Sequence, residues 1–80
     1  MPSDDPMPRL PRVTGVEVIA ALLKLGFEVA RIKGSHHVMK HPDGRRTVVP
    51  AHRGEMIGQG LLSKILNDAE ITADQLQNQL

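Results

Sequence analysis

Two turn signals set close together constrain this chain most. Gly34-Ser35 and Pro42-Asp43-Gly44 divide the segment from Phe27 to Val49 into three short runs. Glycine, serine, proline and aspartate are the residues that tight turns select, and the runs between them read as strands. The first strand is expected over Phe27 to Lys33, the second over His36 to His41, and the third over Arg45 to Val49. Pro50 ends the third strand or marks an edge. Such short connections join strands antiparallel, so the segment predicts a three-stranded meander. Alternation along the second strand puts His36, Val38 and Lys40 on one face and His37, Met39 and His41 on the other.

Helical patterns flank the strands. Thr14-Gly15-Val16-Glu17 fits a capping box, in which the threonine and the glutamate each satisfy an end amide of the helix. Behind it Val16, Ile19, Ala20 and Leu23 recur at helical spacing, as do Val18 and Leu22, until Gly26 offers a left-handed stop. The first helix is therefore expected from about Gly15 to Leu25. Ala51 to Gly60 reads as a glycine-rich loop. Leu61, Leu62, Ile65 and Leu66 mark a second helix reaching about Asp68, and all four are expected in the core. Thr72-Ala73-Asp74-Gln75 repeats the capping-box pattern and opens a short terminal helix with Leu76 and Leu80. The fold class is α+β: a helix, a three-stranded antiparallel sheet, then a helix. With the helices on one sheet face, the other stays open to solvent or a partner. Residues 1–13 hold four of the six prolines and no periodic pattern, and are expected to form a flexible arm before one domain over 14–80.

Composition narrows the function. Eighty residues make one small domain, and the lack of cysteine removes disulfides and thiolate metal sites. No apolar run reaches the length of a membrane span, and the acidic, proline-rich start is unlike a signal peptide. A cytoplasmic protein without membrane contact is expected. Phe27 is the one aromatic residue, which counts against recognition by base stacking on aromatic platforms. Contacts to a phosphate backbone should dominate any nucleic-acid binding.

The charge is polarised. All four histidines, His36, His37, His41 and His52, fall between Arg31 and Arg53. That window holds six lysines and arginines against one acid, Asp43, a net of +5, while the rest holds four against eight, a net of −4. Histidine moves protons near neutrality, and concentrated positive charge attracts phosphate. Lys33, Lys40, Arg45 and Arg46 are the candidate RNA-binding residues, although each alone reads equally as a solvated surface cation. His36, after a Gly-Ser turn and among six cations, is the candidate catalytic residue. It would act as base on a ribose 2′-hydroxyl or as acid on the leaving 5′-oxygen. Gly34 and Ser35 support it, with Ser35 read mainly as a turn residue. His37 points away from His36 and reads as packed or hydrogen-bonded. His41 reads as solvated. No metal site is expected: His36 and His37 diverge, and Asp43 is the lone carboxylate in the window.

These residues also carry a resemblance. The run from Gly26-Phe27-Glu28-Val29 through Arg31-Ile32-Lys33-Gly34-Ser35-His36-His37 resembles the HicA (YcfA-like) toxins of bacterial toxin–antitoxin pairs. Val48-Val49-Pro50-Ala51-His52 is similar to that family's third-strand ending. Leu62-Ser63-Lys64-Ile65-Leu66 followed by Ala69 is similar to its final helix. The resemblance covers roughly Val16 to Thr72. It implies a double-stranded-RNA-binding-like fold, an mRNA interferase activity, and a HicB-type antitoxin covering the active surface; no cofactor is expected from the residues themselves. It places the catalytic histidine on His36, includes Gly34 in the site, and matches His52 to a loop position of the family, which makes His52 a candidate second proton carrier. The chain departs from the family pattern at Phe27, often tryptophan, at Met39, often aromatic, and at Glu70, commonly glycine.

Two functions of different class fit these observations. One is a metal-independent endoribonuclease acting on mRNA through His36. The other is a non-catalytic RNA-binding module that needs the basic face but has no use for His36. A subunit that only grips its antitoxin is a third reading.

Overall fold

The computed structural model describes residues 10–80. Helix α1 spans Gly15–Lys24, strand β1 Glu28–Lys33, β2 His36–Lys40 and β3 Arg46–Pro50; α2 spans Gln59–Ala69 and α3 Ala73–Asn78. Both capping boxes form. The Thr14 side chain accepts from the Glu17 amide while Glu17 takes the Thr14 amide, and Thr72 and Gln75 do the same. The strands build one antiparallel sheet in the order β1-β2-β3. This is the expected helix–three-strand–helix α+β fold, extended by the short α3.

Register fixes what each sheet face displays, because directly paired residues share a face. Met39 pairs with Thr47 and with Val29, and His37 with Val49 and with Ile32. Met39, Thr47 and Val49 are buried beneath the helices, and His37 is half-buried. On the other face Lys33 pairs with His36, His36 with Pro50, Arg31 with Val38, Val38 with Val48, and Lys40 with both Glu28 and Arg46. Among the described residues no helix covers this second face. An extra residue, Ala30, interrupts the β1–β2 register between Val29 and Arg31. Such a bulge twists an edge strand and discourages pairing with another chain.

The core gathers Phe27, Met39 and Val49 from the sheet side, Val18 and Leu22 from α1, and Leu62, Ile65 and Leu76 from the later helices. Phe27 and Met39 are both buried, so the two departures from the family's aromatic pattern still fill the interior. One open point is settled and two expectations need correction. On α1 the buried stripe is Val18, Ala21 and Leu22, while Val16 is 60% and Leu23 49% exposed, because the sheet takes only one sector of a broadly apolar helix. Leu61 lies outside the core at 39% exposure. The domain also begins before residue 14. Val13 is fully buried, its carbonyl accepts from the Ile57 amide at 2.7 Å, and Leu10 packs against the core. The rest of the expected arm, residues 1–9, lies outside the described residues.

Gly15 locks α1 to the sheet. A Cβ there would come within 2.0 Å of the Pro50 carbonyl oxygen and 2.8 Å of the Ala51 Cα, a backbone contact that cannot yield. The contact holds the end of β3, and the loop that follows, against the helix. Among the described residues no helix is long and apolar enough to cross a membrane.

Candidate catalytic and nucleic-acid face

The site is assembled around the β1–β2 turn. Lys33 and His36 pair across it, and Gly34 occupies it at φ 60, in the left-handed region where glycine pays no Cβ penalty. Three contacts converge on Ser35. Its carbonyl accepts from the Ala51 amide at 2.8 Å, which ties the turn to the end of β3. The same carbonyl lies 3.1 Å from His37 Nδ1, and since a carbonyl only accepts, that nitrogen carries the proton. Its Oγ lies 3.2 Å from His52 Nε2. Ser35 is thus more than a turn residue. It joins the turn to a histidine 17 positions away.

His36 is exposed at the end of the open sheet face. With it on that face lie Arg31, Lys33, Lys40 and Arg46 against one acid, Glu28, together with Val38, Val48 and Pro50. The structure therefore brings His36, Lys33, Lys40 and Arg46 onto one surface and sets Ser35 and His52 at its edge. His37 sits on the opposite face, as alternation requires. A shallow cavity of about 110 Å³ adjoins this edge, lined by Pro50, His52, Glu55, Met56, Ile57, Gly58 and Leu61. Among the described residues no three histidine, aspartate or glutamate side chains gather as a metal site would require.

Arg45 and His41 correct the sequence reading. Arg45 turns to the helix-bearing face. Its guanidinium stacks 5.1 Å from the Phe27 ring centre, its Nη1 donates to the Ala69 carbonyl at 2.9 Å, and its Nε donates to Asp43 at 2.8 Å. It is consequently absent from the open face expected to hold RNA. His41 is not solvated. Its ring meets Phe27 edge-on at 5.0 Å, and its Nδ1 lies 3.1 Å from the Asp43 amide and 3.0 Å from the Asp43 carboxylate. The Asp43 carboxyl is held below its ordinary value of 3.8, first by the Arg45 backbone amide that donates to it, with the Arg45 guanidinium and His41 adding to the effect. Residues at fixed sequence offsets, such as Asp43 and Arg45, were open to anticipation. Contacts to Phe27 and Ala69 were not.

Glu55, missed in the sequence, is the one acid lining the cavity. Its signal was faint: between Val29 and Asn67 the only acids are Asp43 and Glu55.

No curated protein matches the chain closely enough to serve as a named relative. A family model does. The one described as HicA toxin of bacterial toxin-antitoxin matches residues 15–71, from the first residue of α1 to just past α2. The match includes the whole sheet, both turns and the His36 face, and it leaves out only the terminal helix and the leading segment. The chain belongs to the HicA toxin family of bacterial toxin–antitoxin systems.

Proposed function

We propose that this toxin is an endoribonuclease that cleaves mRNA in the cytoplasm and thereby blocks translation, with His36 at the centre of its chemistry. The observation that carries the reading is the placement of an exposed histidine on an uncovered sheet face with Lys33, Lys40, Arg46 and Arg31. Positive charge on an open surface draws the RNA backbone by releasing its counterions.

In this reading His36 removes the proton of a ribose 2′-hydroxyl. The 2′-oxygen attacks the adjacent phosphorus, the bond to the 5′-oxygen breaks, and that oxygen takes a proton from His52. The products are a 2′,3′-cyclic phosphate and a 5′-hydroxyl, so atoms and protons balance without an added reactant. Ser35, at 3.2 Å, orients the His52 ring. Lys33, paired with His36, faces the negative charge that builds on phosphorus in the transition state. Lys40 and Arg46 pair with one another toward the other end of β2 and hold flanking phosphates. Only RNA supplies the 2′-hydroxyl, so DNA is spared. A HicB-type antitoxin silences the enzyme by covering the same face, where an acidic surface would compete with RNA for the cations.

The decisive experiment is cleavage of a mixed-sequence RNA by the wild type and His36→Ala, with a chelator present. The wild type should cut, and the variant should be slower by on the order of 10²–10⁴-fold, the usual contribution of a placed histidine. RNA binding without cutting by either protein would instead favour a binding module. Equal cutting by both would remove His36 from the mechanism.

A further inference from the structure

We propose that the cavity beside the Ser35–His52 contact receives one nucleobase of the bound RNA, and that Glu55 favours a base bearing an amino group over uracil. The inference rests on the RNA reading above and adds to it a source of sequence preference.

Position is the first argument. Pro50 and His52 both line the cavity. Pro50 pairs with His36 across β2 and β3, and His52 touches Ser35. A ribose held at His36 therefore has the cavity as its immediate neighbour at the end of the sheet.

Size is the second. At about 110 Å³ the cavity is well below a typical pocket for a drug-sized ligand. It is close to the roughly 150 Å³ known to accept a single benzene ring. One flat heterocycle entering from the open side suits it.

Lining chemistry is the third. Apart from the His52 imidazole the cavity has no aromatic ring, because Phe27 is buried elsewhere. Met56 and Leu61 stand 55% and 39% exposed over the buried Ile57. A methionine thioether packs favourably on an aromatic ring, so Met56 offers a base what an aromatic platform would offer elsewhere.

Glu55 supplies the selectivity. Asp43 already engages Arg45 and His41, whereas no hydrogen bond or ion pair among the described residues occupies the Glu55 carboxylate. A carboxylate repels the RNA backbone, so its place at the rim of a basic face is costly unless it takes a hydrogen from the ligand. Ionised, it only accepts. Cytosine and adenine each present an amino group, and guanine presents an amino group and a ring N–H. Uracil presents a single ring N–H flanked by two carbonyls that the carboxylate repels. Cytosine and uracil are the sharpest pair, since they share size and stacking and differ at that edge.

Amide NMR titrations of the full chain with CMP and with UMP test this. Both share the phosphate, so attraction to the basic face cancels in the comparison. In the wild type CMP should shift the amides of Glu55, Ile57 and Leu61 and bind on the order of five- to tenfold more tightly than UMP, the worth of about one hydrogen bond. In Glu55→Gln, whose amide both donates and accepts, the ratio should fall to near one. Equal affinities in the wild type, a preference that survives Glu55→Gln, or shifts confined to the sheet face would overturn the proposal. Cleavage is not read, so failure of the His36 assignment leaves this result intact. Conversely, intact cleavage with no base preference removes the pocket alone.

Discussion

The two ends of the β2–β3 hairpin hold similar side chains and use them in opposite ways. At the turn between the strands, His41, Asp43 and Arg45 bond to one another, to Phe27 and to the carbonyl of Ala69 at the end of α2. At the other end, His36, His52 and Glu55 are exposed, and of these three only His52 makes a side-chain hydrogen bond to another described residue, Ser35. One end turns its charges inward and fastens the hairpin to the helices. The other turns them to solvent, where a ligand can take them. A histidine beside a turn, near a carboxylate, does not define a site. What its polar atoms already touch decides whether it is available.

Exchanging alanine for the histidine at each end separates the roles most widely. His36→Ala should lose the proposed nuclease activity and keep its melting temperature, since the side chain is exposed. His41→Ala should keep the chemistry and lose about 1 kcal/mol of stability, the worth of an edge-on aromatic contact. Urea unfolding together with cleavage rates checks both. A His41→Ala protein that is stable but inactive would erase the distinction.

The arginines at the closed end sharpen it. Arg45 and Arg46 are adjacent in sequence but face opposite sides of the sheet. Arg45→Ala removes a hydrogen bond to a part-buried carbonyl and the contact with Phe27, and should cost about 2 kcal/mol. Arg46→Ala should leave stability within about 0.5 kcal/mol. In RNA-binding titrations at several salt concentrations, Arg46→Ala should flatten the logarithmic slope by roughly one while Arg45→Ala leaves it unchanged. Reversed slopes would assign RNA contact to Arg45 and not to the open face.

How much of this was legible follows from the range of each interaction. Capping boxes, turn residues and alternation act over a few positions, so the helices, the three strands and the side of the sheet holding His36 could be read directly. The Ser35–His52 and Arg45–Ala69 contacts span 17 and 24 positions, and no local pattern announces them. The sector of α1 that is buried was ambiguous for a related reason. Val16 and Leu23 are as apolar as Val18 and Leu22, and only the sheet's position chooses between them. Val13 was assigned to the arm because residues 1–13 hold four of the six prolines and no periodic pattern, yet it is held by the Ile57 amide, far along the chain.

Glu70 offers a smaller effect of opposite sign. It caps α2 at φ 55, a left-handed conformation in which a side chain with Cβ is strained. The chain keeps the cap geometry that a glycine would adopt freely. Glu70→Gly should therefore stabilise the protein by about 1 kcal/mol, seen as a raised melting temperature, without altering RNA cleavage. The gain adjoins the Ala69 carbonyl that Arg45 uses, so it should shrink in an Arg45→Ala background if the closed end acts as one unit.

The smallest effect concerns acid. The Asp43 carboxyl has its pKa depressed in the folded chain, chiefly by the Arg45 amide. A carboxyl lowered on folding contributes stability above its unfolded pKa, and that contribution fades as pH falls through the folded value. The window therefore lies from around the ordinary 3.8 downward. The carboxylate is 47% exposed, so solvent screens it and the effect is slight. Asp43→Asn keeps an acceptor for the Arg45 amide but removes the charge facing His41 and Arg45. Its melting temperature should fall less steeply than that of the wild type as the pH is lowered through and below 3.8. Parallel curves for wild type and Asp43→Asn would mean that the closed end holds through Arg45, Phe27 and Ala69 alone, with the carboxylate a bystander.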